Sequence, residues 1–480
     1  MCRFCDPVVK GGIMMVEQAG ALGYFGDARR AAVGTELLER VTATGSLVIR
    51  RLGATRAGEL AIHRFLSAPS VSCREMLATV AGSTLAATAR RHIVVAQDTT
   101  EINFAGRGVN RRGLGAAGDG VSAGFFIHPL VAIDSETEAV LGLLDAQIWT
   151  RDDAIEAPRR QRAIEDKESM RWLRGVERAG ELLADAASVL VVGDRESDIY
   201  SCFARRPAGV ELIVRAAQDR AIELAPDGPV VARSLFTSAA GWPDLTCLQV
   251  KVAPRRVGDP GRVATIALRA GPVTLKRPRQ GFAKTDAATV SMTLVEAREI
   301  NPAANQEPLH WRLLTSLEVG DAHAACEIVR LYRLRWRIEE VFRALKSDGM
   351  RLEATQMHQA ERLFKLAVVG LAAACRTIQL VDARNGSARP ATDVIDAALL
   401  SVAEAIGPTL EGNTERQKNP HPPHSLAWLA WIIARLGGWN CYYKPPGPKT
   451  MRAGWGQFET MAAGFAVAMT FKLKSNPRIP

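Results

Sequence analysis

The stretch 331-LYRLRWRIEEVFRALK-346 decides how the rest of the chain is read. Its spacing predicts one helix carrying two stripes. Leu331, Leu334, Ile338, Val341, Phe342 and Leu345 recur every three or four residues and form an apolar face. Tyr332, Arg335, Glu339, Arg343 and Lys346 keep the same spacing one residue further on, about 100° around the helix. One flank packs on a core. The other presents a carboxylate among cations and a phenol, a set that suits a metal ion beside a polyphosphate. Taken alone, the stripe is more simply an amphipathic helix with a solvated charged flank. Two carboxylates elsewhere in the chain shift that balance.

Both stand where apolar runs end. Ile93–Ala96 reads as a short buried strand leading to Gln97 and Asp98, and Val189–Val192 as a strand covered on both faces that stops at Gly193 and Asp194. Between them, Gly124–Ile133 and Ala139–Trp149 predict a hairpin turning at Asp134-Ser135-Glu136, and Arg151–Leu183 a charged, mostly helical segment. Ser197–Phe203 opens a helix and Leu212–Arg215 is a further strand. This order predicts a mixed α/β sheet. In open sheets of that kind, sites form outside strand ends, where side chains from separate segments converge. A single Asp after a strand is ordinarily a turn or cap residue. Three carboxylates brought together repel one another unless a divalent cation neutralises them. Mg2+ or Mn2+, hard ions that prefer oxygen, answers that need. Two such ions can activate water or a 3′-hydroxyl and stabilise the leaving oxygen of an in-line phosphoryl transfer.

A resemblance follows from these residues. Tyr332, Arg335, Glu339 and Lys346 meet a Y-x2-R-x3-E-x6-K signature without gaps, inside RWRIEE at 335–340. Gly193-Asp194-Arg195-Glu196-Ser197-Asp198-Ile199 is similar to a DREADI segment, and Asp98-Thr99-Thr100 to the stretch holding a first aspartate. With these blocks in order, the chain resembles the DDE transposases of bacterial insertion sequences, in the insertion-sequence-four family. The resemblance implies an α/β, RNase H-like catalytic core with Asp98, Asp194 and Glu339 as catalytic metal ligands, holding Mg2+ or Mn2+ as two ions. It implies that Tyr332, Arg335 and Lys346 hold the phosphates of the element end. Trp311, in HWRLLTS, aligns with an aromatic that relatives set beside a flipped base, and is otherwise a core Trp opening a strand. Arg215 corresponds to a strand arginine near the pocket, and Arg343 stands where relatives have lysine. Glu196 and Asp198 are acidic neighbours read as structural, Asp198 as a helix start.

Around this core, residues 1–90 predict an N-terminal helical domain whose first clear helix, Ala28–Val41, is capped by Asp27. Arg29 and Arg30, in GDARR, make that segment either a DNA-binding surface or a solvated one. Residues 91–216 and 311–385 predict the catalytic domain. Residues 217–310, with short runs at Leu248–Val252, Val263–Leu268 and Thr289–Val295, predict a β-rich insertion between the second aspartate and the glutamate. It is basic at Arg255, Arg256, Lys276, Arg277 and Arg279. Residues 386–480 predict a helical C-terminal domain, with helices at Ala391–Ala405 and Leu426–Leu436. The segment 444–458 resembles the part that pairs two protomers in relatives. Leu426, Trp428, Leu429, Trp431, Ile432 and Ile433 serve either that homodimer or an internal core.

Composition agrees with this outline. The chain has 480 residues, 47% hydrophobic and 23% charged, with a net charge of +10 that favours an anionic partner such as double-stranded DNA. No apolar stretch suits a membrane span, and 363–375 predicts a buried helix instead. The N-terminus lacks the pattern of a secretory signal, and the eight dispersed cysteines fit a reducing cytoplasm. Cys2 and Cys5 form a lone CxxC without a second ligand pair, so they read as ordinary thiols. No nucleotide-binding Gly-rich loop is present, and no small-molecule cofactor is expected. The sequence therefore predicts a cut-and-paste DNA transposase that cleaves element ends with water and transfers the 3′-OH to target DNA. The alternatives are a decayed DNA-binding regulator and a nuclease of the same fold without strand transfer.

Overall fold

The computed structural model describes residues 21–475 apart from 106–110, 119, 152–166, 224–233, 253–260, 280–284, 303–306 and 347–348. Cys2, Cys5, Arg255, Arg256 and parts of 106–120 and of the expected helical segment 151–183 lie outside the described residues. Helices come first: α1 (Ala28–Thr44), α2 (Ile49–Gly53), α3 (Arg56–Ser67) and α4 (Cys73–Thr88). Each long one starts at a side-chain cap. Asp27 accepts from the Arg29 amide at 2.8 Å, Thr55 from Gly58 at 3.2 Å and Ser72 from Glu75 at 3.1 Å.

Strands β1 (His92–Gln97), β2 (Thr100–Asn103), β3 (Gly115–Ala116), β4 (Ala123–Asp134) and β5 (Val140–Trp149) follow. After them come α5 (Met170–Leu182), β6 (Ser188–Gly193), α6 (Tyr200–Ala204) and β7 (Val210–Arg215). The expected hairpin is present as β4 and β5, and the Asp134 carboxylate accepts from Glu136 and Thr137 amides to form its turn. Strands β1, β6 and β7 are parallel neighbours, buried along almost their whole length, while β4 runs antiparallel to β1. This mixed sheet with flanking helices is consistent with an RNase H-like core.

The chain continues through α7 (Leu235–Ala240), β8 (Thr246–Val252), β9 (Arg262–Lys276), β10 (Thr289–Glu299) and β11 (His310–Thr315). These strands extend the same sheet. Its order is β2-β4-β1-β6-β7-β11-β10-β9-β8, joined where β11 pairs antiparallel with β7 and sets Leu313 opposite Arg215. The strand-rich segment is thus hydrogen-bonded to the core rather than hung from it.

The last elements are α8 (Ala322–Arg333), α9 (Arg337–Lys346), α10 (Ala360–Ala383), α11 (Leu400–Ile406), α12 (Leu426–Leu436) and α13 (Pro448–Ser475). The expected single helix over 331–346 is two helices joined by a 3-10 turn, Leu334–Trp336. Its apolar stripe is still buried throughout. The expected helix at Ala391–Ala405 is two short 3-10 turns, Ala391–Asp393 and Ala397–Leu399, with α-helix beginning only at Leu400.

Helix α10 is apolar enough by length and composition to cross a membrane, yet its apolar window is 83% buried inside the fold. It touches α1, α3, α4, β5, α9, α12 and α13. Leu37 and Leu38 of α1, Val94 of β1, Leu345 of α9 and Leu366 of α10 share one core. Lys365 is almost fully buried on α10 and donates to the carbonyls of Leu66 and Ala68 at the end of α3, both at 3.1 Å. Helix α12 belongs to a second core with Met451, Trp455 and Phe458 of α13. Its Trp428, Leu429 and Trp431 are therefore internal residues.

Candidate active site at the strand ends

The parallel register of β1 and β6 pairs Ala96 with Val192, and its continuation brings Asp98 and Asp194 to the same edge. Asp98 Oδ1 accepts from the Thr99 amide at 2.7 Å. Asp194 caps the 3-10 turn Arg195–Ser197, its Oδ1 accepting from the Glu196 amide at 2.8 Å. Glu339 lies in the first turn of α9, its side chain 48% exposed.

Arg335 ties these segments together. Its Nη1 donates to Asp98 Oδ2 at 2.6 Å and stands 3.9 Å from Glu339 Oε1. The 3-10 turn that carries it packs on β1. Burial pushes the Asp98 carboxyl up to about 7; Arg335 opposes that rise, and nearby Asp194 and Glu339 reinforce it. Asp194 and Glu339 thus both act on Asp98 across this edge, and the Arg335 guanidinium lies against it. Hard oxygen donors around a cation are the chemistry a divalent ion requires. Among the described residues, no three His, Cys, Asp or Glu side chains already stand together at metal-ligating distances.

The other expected residues divide. Tyr332 is buried, not presented on an open flank, and burial raises its phenol pKa. Trp311 is also buried, at 5% exposure. The ring that reaches solvent is Trp336, 40% exposed, with centroids 5.6 Å from Trp311 and 6.1 Å from Tyr332. Trp336 stands four residues after Tyr332, so regular spacing sets it on the same flank, although the sequence reading did not single it out.

Arg215, at the end of β7, donates to the His310 carbonyl at 3.1 Å; burial lowers its pKa and Tyr332, Arg335 and Asp194 all act on it. Lys346 donates to the Glu101 carbonyl at 2.8 Å and lies 3.6 Å from Glu353 Oε1. Arg343 is on the exposed side of α9. Arg29 is exposed, whereas Arg30 is held by its own turn through the Phe25 carbonyl at 3.0 Å. Among the described residues, neither bonds to the strand-end carboxylates.

Asp198 is structural, as expected, but for another reason. It does not start α6; its buried carboxylate accepts from the Ala217 and Gln218 amides and from Arg220, fixing the chain after β7. Glu196 is 64% exposed and paired with Arg171. Arg171, Thr99, His128 and Gln97 form a hydrogen-bonded row behind Asp98 that no sequence pattern marked.

Residues 263–376 match the family model of the transposase DDE domain. The match supports a DDE transposase. It runs from β9 into α10 and includes Trp311, Tyr332, Arg335, Glu339, Arg343 and Lys346. Asp98 and Asp194 follow strands outside the matched span, and the fold brings Asp98 onto the Arg335 turn that lies within it.

Proposed function

We propose that this chain is a metal-dependent DNA transposase that cuts its element free and joins the exposed 3′-OH to target DNA. What supports the proposal is Arg335 bonded to Asp98 and 3.9 Å from Glu339, with Asp194 acting on Asp98, in a chain whose residues 263–376 match the transposase DDE domain. Asp98 and Asp194 would hold Mg2+ or Mn2+ from the sheet, and Glu339 from the helix. A bound divalent cation supplies a Lewis acid that activates the attacking oxygen and steadies the leaving one. Arg335, released from Asp98, becomes free to pair with a phosphate in a bidentate fork.

Lys346, Arg215 and Arg343 would grip the backbone of the element end, with Trp336 as the ring available to a base. Tyr332 and Trp311 support Trp336 and Arg335 from beneath. Arg29 would contribute a DNA contact from α1. A homodimer would form through the far part of α13, where Met461, Phe465 and Val467 are exposed.

A plasmid excision assay tests the proposal. A marker flanked by the DNA that natively borders this gene is offered to wild type and to Asp194→Ala. Excision by wild type alone supports it. Excision by both means that the site is elsewhere. Excision by neither, with end binding intact in a gel shift, favours a DNA-binding regulator.

A further inference from the structure

The loops that carry Asp98 and Asp194 leave neighbouring strands, and the last β1–β6 pair, Ala96 with Val192, lies short of both. Backbone pairing therefore does not fix the distance between the two carboxylates, and the Asp194 charge disfavours that of Asp98. One side chain spans the gap from behind. Arg171, the second residue of α5, has a side chain only 12% exposed. Its Nε donates to Thr99 Oγ1 at 2.7 Å, its Nη2 to Glu196 Oε2, and its Nη1 to the Glu168 carbonyl at 3.0 Å. Thr99 and Glu196 are the residues whose amides bind Asp98 Oδ1 and Asp194 Oδ1. A single guanidinium thus joins the two loops through the groups that orient both aspartates.

The attachment to β1 has one direction of donation. Because Arg171 donates to Thr99 Oγ1, the hydroxyl proton is available to His128 Nδ1 at 2.9 Å. His128 then carries its proton on Nε2 and donates to Gln97 Oε1 at 3.1 Å. His128 is completely buried, and burial together with Arg171 holds its pKa well below the usual value, so the imidazole is neutral as this order requires. One turn along α5, Gly175 lets the helix sit against the same Gln97. A Cβ there would collide with Gln97 Oε1. Arg171 and Gly175 share one helix face and dock it on the strand end.

We propose that Arg171 is a positioning residue that sets the separation of Asp98 and Asp194 and thereby the affinity of the pair for a divalent cation; this rests on the metal-dependent reading above. Lysine keeps the charge but cannot bond Thr99 and Glu196 together, since its single ammonium lacks the planar fork. The tie, and not the charge alone, is what matters.

The test is Mn2+ binding to the full chain, with the metal alone and no DNA, followed by electron paramagnetic resonance. Residues that orient metal ligands typically change affinity by about 10- to 100-fold when replaced, so Arg171→Gln is expected to weaken Mn2+ binding about tenfold or more. Arg171→Lys should lose nearly as much. Glu196→Gln should lose less, and should add nothing to Arg171→Gln in the double variant, because both cut the same tie. End binding in a gel shift with EDTA should be unchanged in all three.

Wild-type Mn2+ affinity in Arg171→Gln and Arg171→Lys would overturn the proposal, as would full rescue by lysine. If Arg171→Gln does not fold, Arg171→Lys and Glu196→Gln decide it by the same criterion. Asp194→Asn separates the two levels of inference. Loss of Mn2+ binding in Asp194→Asn with retention in Arg171→Lys removes only the positioning role. Unchanged binding in Asp194→Asn, or no binding by wild type, removes the metal reading itself.

Discussion

Arg335 Nη1 lies 2.6 Å from Asp98 Oδ2 although the two residues are 237 positions apart in the chain. Their side chains are only 11% and 15% exposed, so each charge depends on the other. Without Arg335 the Asp98 carboxyl, already pushed up to about 7, takes up a proton and loses its donor. Arg335→Ala should therefore destabilise the metal-free protein by about 1–3 kcal/mol. Adding Asp98→Asn should restore part of the loss. Urea unfolding of the four members of this double-mutant cycle measures the coupling, and strictly additive effects would show that the contact carries no energy.

Glu339 is different. It is half-exposed, and its nearest cation, Arg335, is 3.9 Å away. Glu339→Gln should leave folding stability within about 0.5 kcal/mol of wild type. It should also abolish cleavage while retaining binding to element ends. Cleavage at the wild-type rate would show that Glu339 holds no catalytic ion.

Lys346 is tethered to the Glu101 carbonyl and Glu353, which hold its ammonium near the end of β2. A phosphate contact made from there is uniform across sequences. Lys346→Ala should weaken end binding and lower the slope of log affinity against log salt by about one. Gel shifts over a salt series measure it. An unchanged slope removes Lys346 from the DNA contact.

Trp311 and Trp336 touch each other, yet their replacements should act oppositely. Trp311→Ala empties a buried site and should cost about 3–5 kcal/mol. Trp336→Ala should change stability little and weaken the complex with an element end. Thermal melts and gel shifts on the two variants separate the roles. Equal effects on DNA binding at equal stability would mean that exposure does not distinguish them.

A pH effect is expected where α1 meets α13. Glu39 accepts from Arg376 Nη1 at 2.7 Å and from Trp455 Nε1 at 3.0 Å, and Glu459 lies beside it. Burial first, then Glu39, pushes the Glu459 carboxyl from 4.5 up to about 7. The folded state thus holds a proton that the unfolded chain releases above its ordinary carboxyl pKa. The associated stability is complete below about 4.5 and is lost as pH rises through about 7. Allowing for partial solvent screening, the loss is on the order of 1 kcal/mol. Glu459→Gln should flatten the melting temperature between these pH values, and an unaltered profile would locate the titration elsewhere.

The sheet was legible because continuous apolar runs such as Val189–Val192 have few other uses, and the hairpin because its turn residues are polar. The three carboxylates and Arg335 were legible through spacing and resemblance. What spacing missed was depth. Tyr332 and Glu339 share a predicted stripe, but the 3-10 turn at 334–336 rotates one into the core and leaves the other half-exposed. No Gly or Pro marks that turn; it forms where Leu334 and Arg335 settle against β1, a tertiary cause. Arg171 was hidden for a related reason. Its partners Thr99 and Glu196 are distant in sequence, and an arginine near a helix start has no pattern of its own.

The shared core of α1, β1, α9 and α10 bears on how such a protein can be rebuilt. An N-terminal segment taken from another chain would arrive with its own apolar face and its own partner for Arg376, while α10 would still offer the surface shaped for Leu37, Leu38 and Glu39. Exchange of the first helices is therefore a core redesign and not a cassette swap. A new grip on DNA installed at this end must be accompanied by matching changes on α10, the helix that also backs α9 and its Glu339.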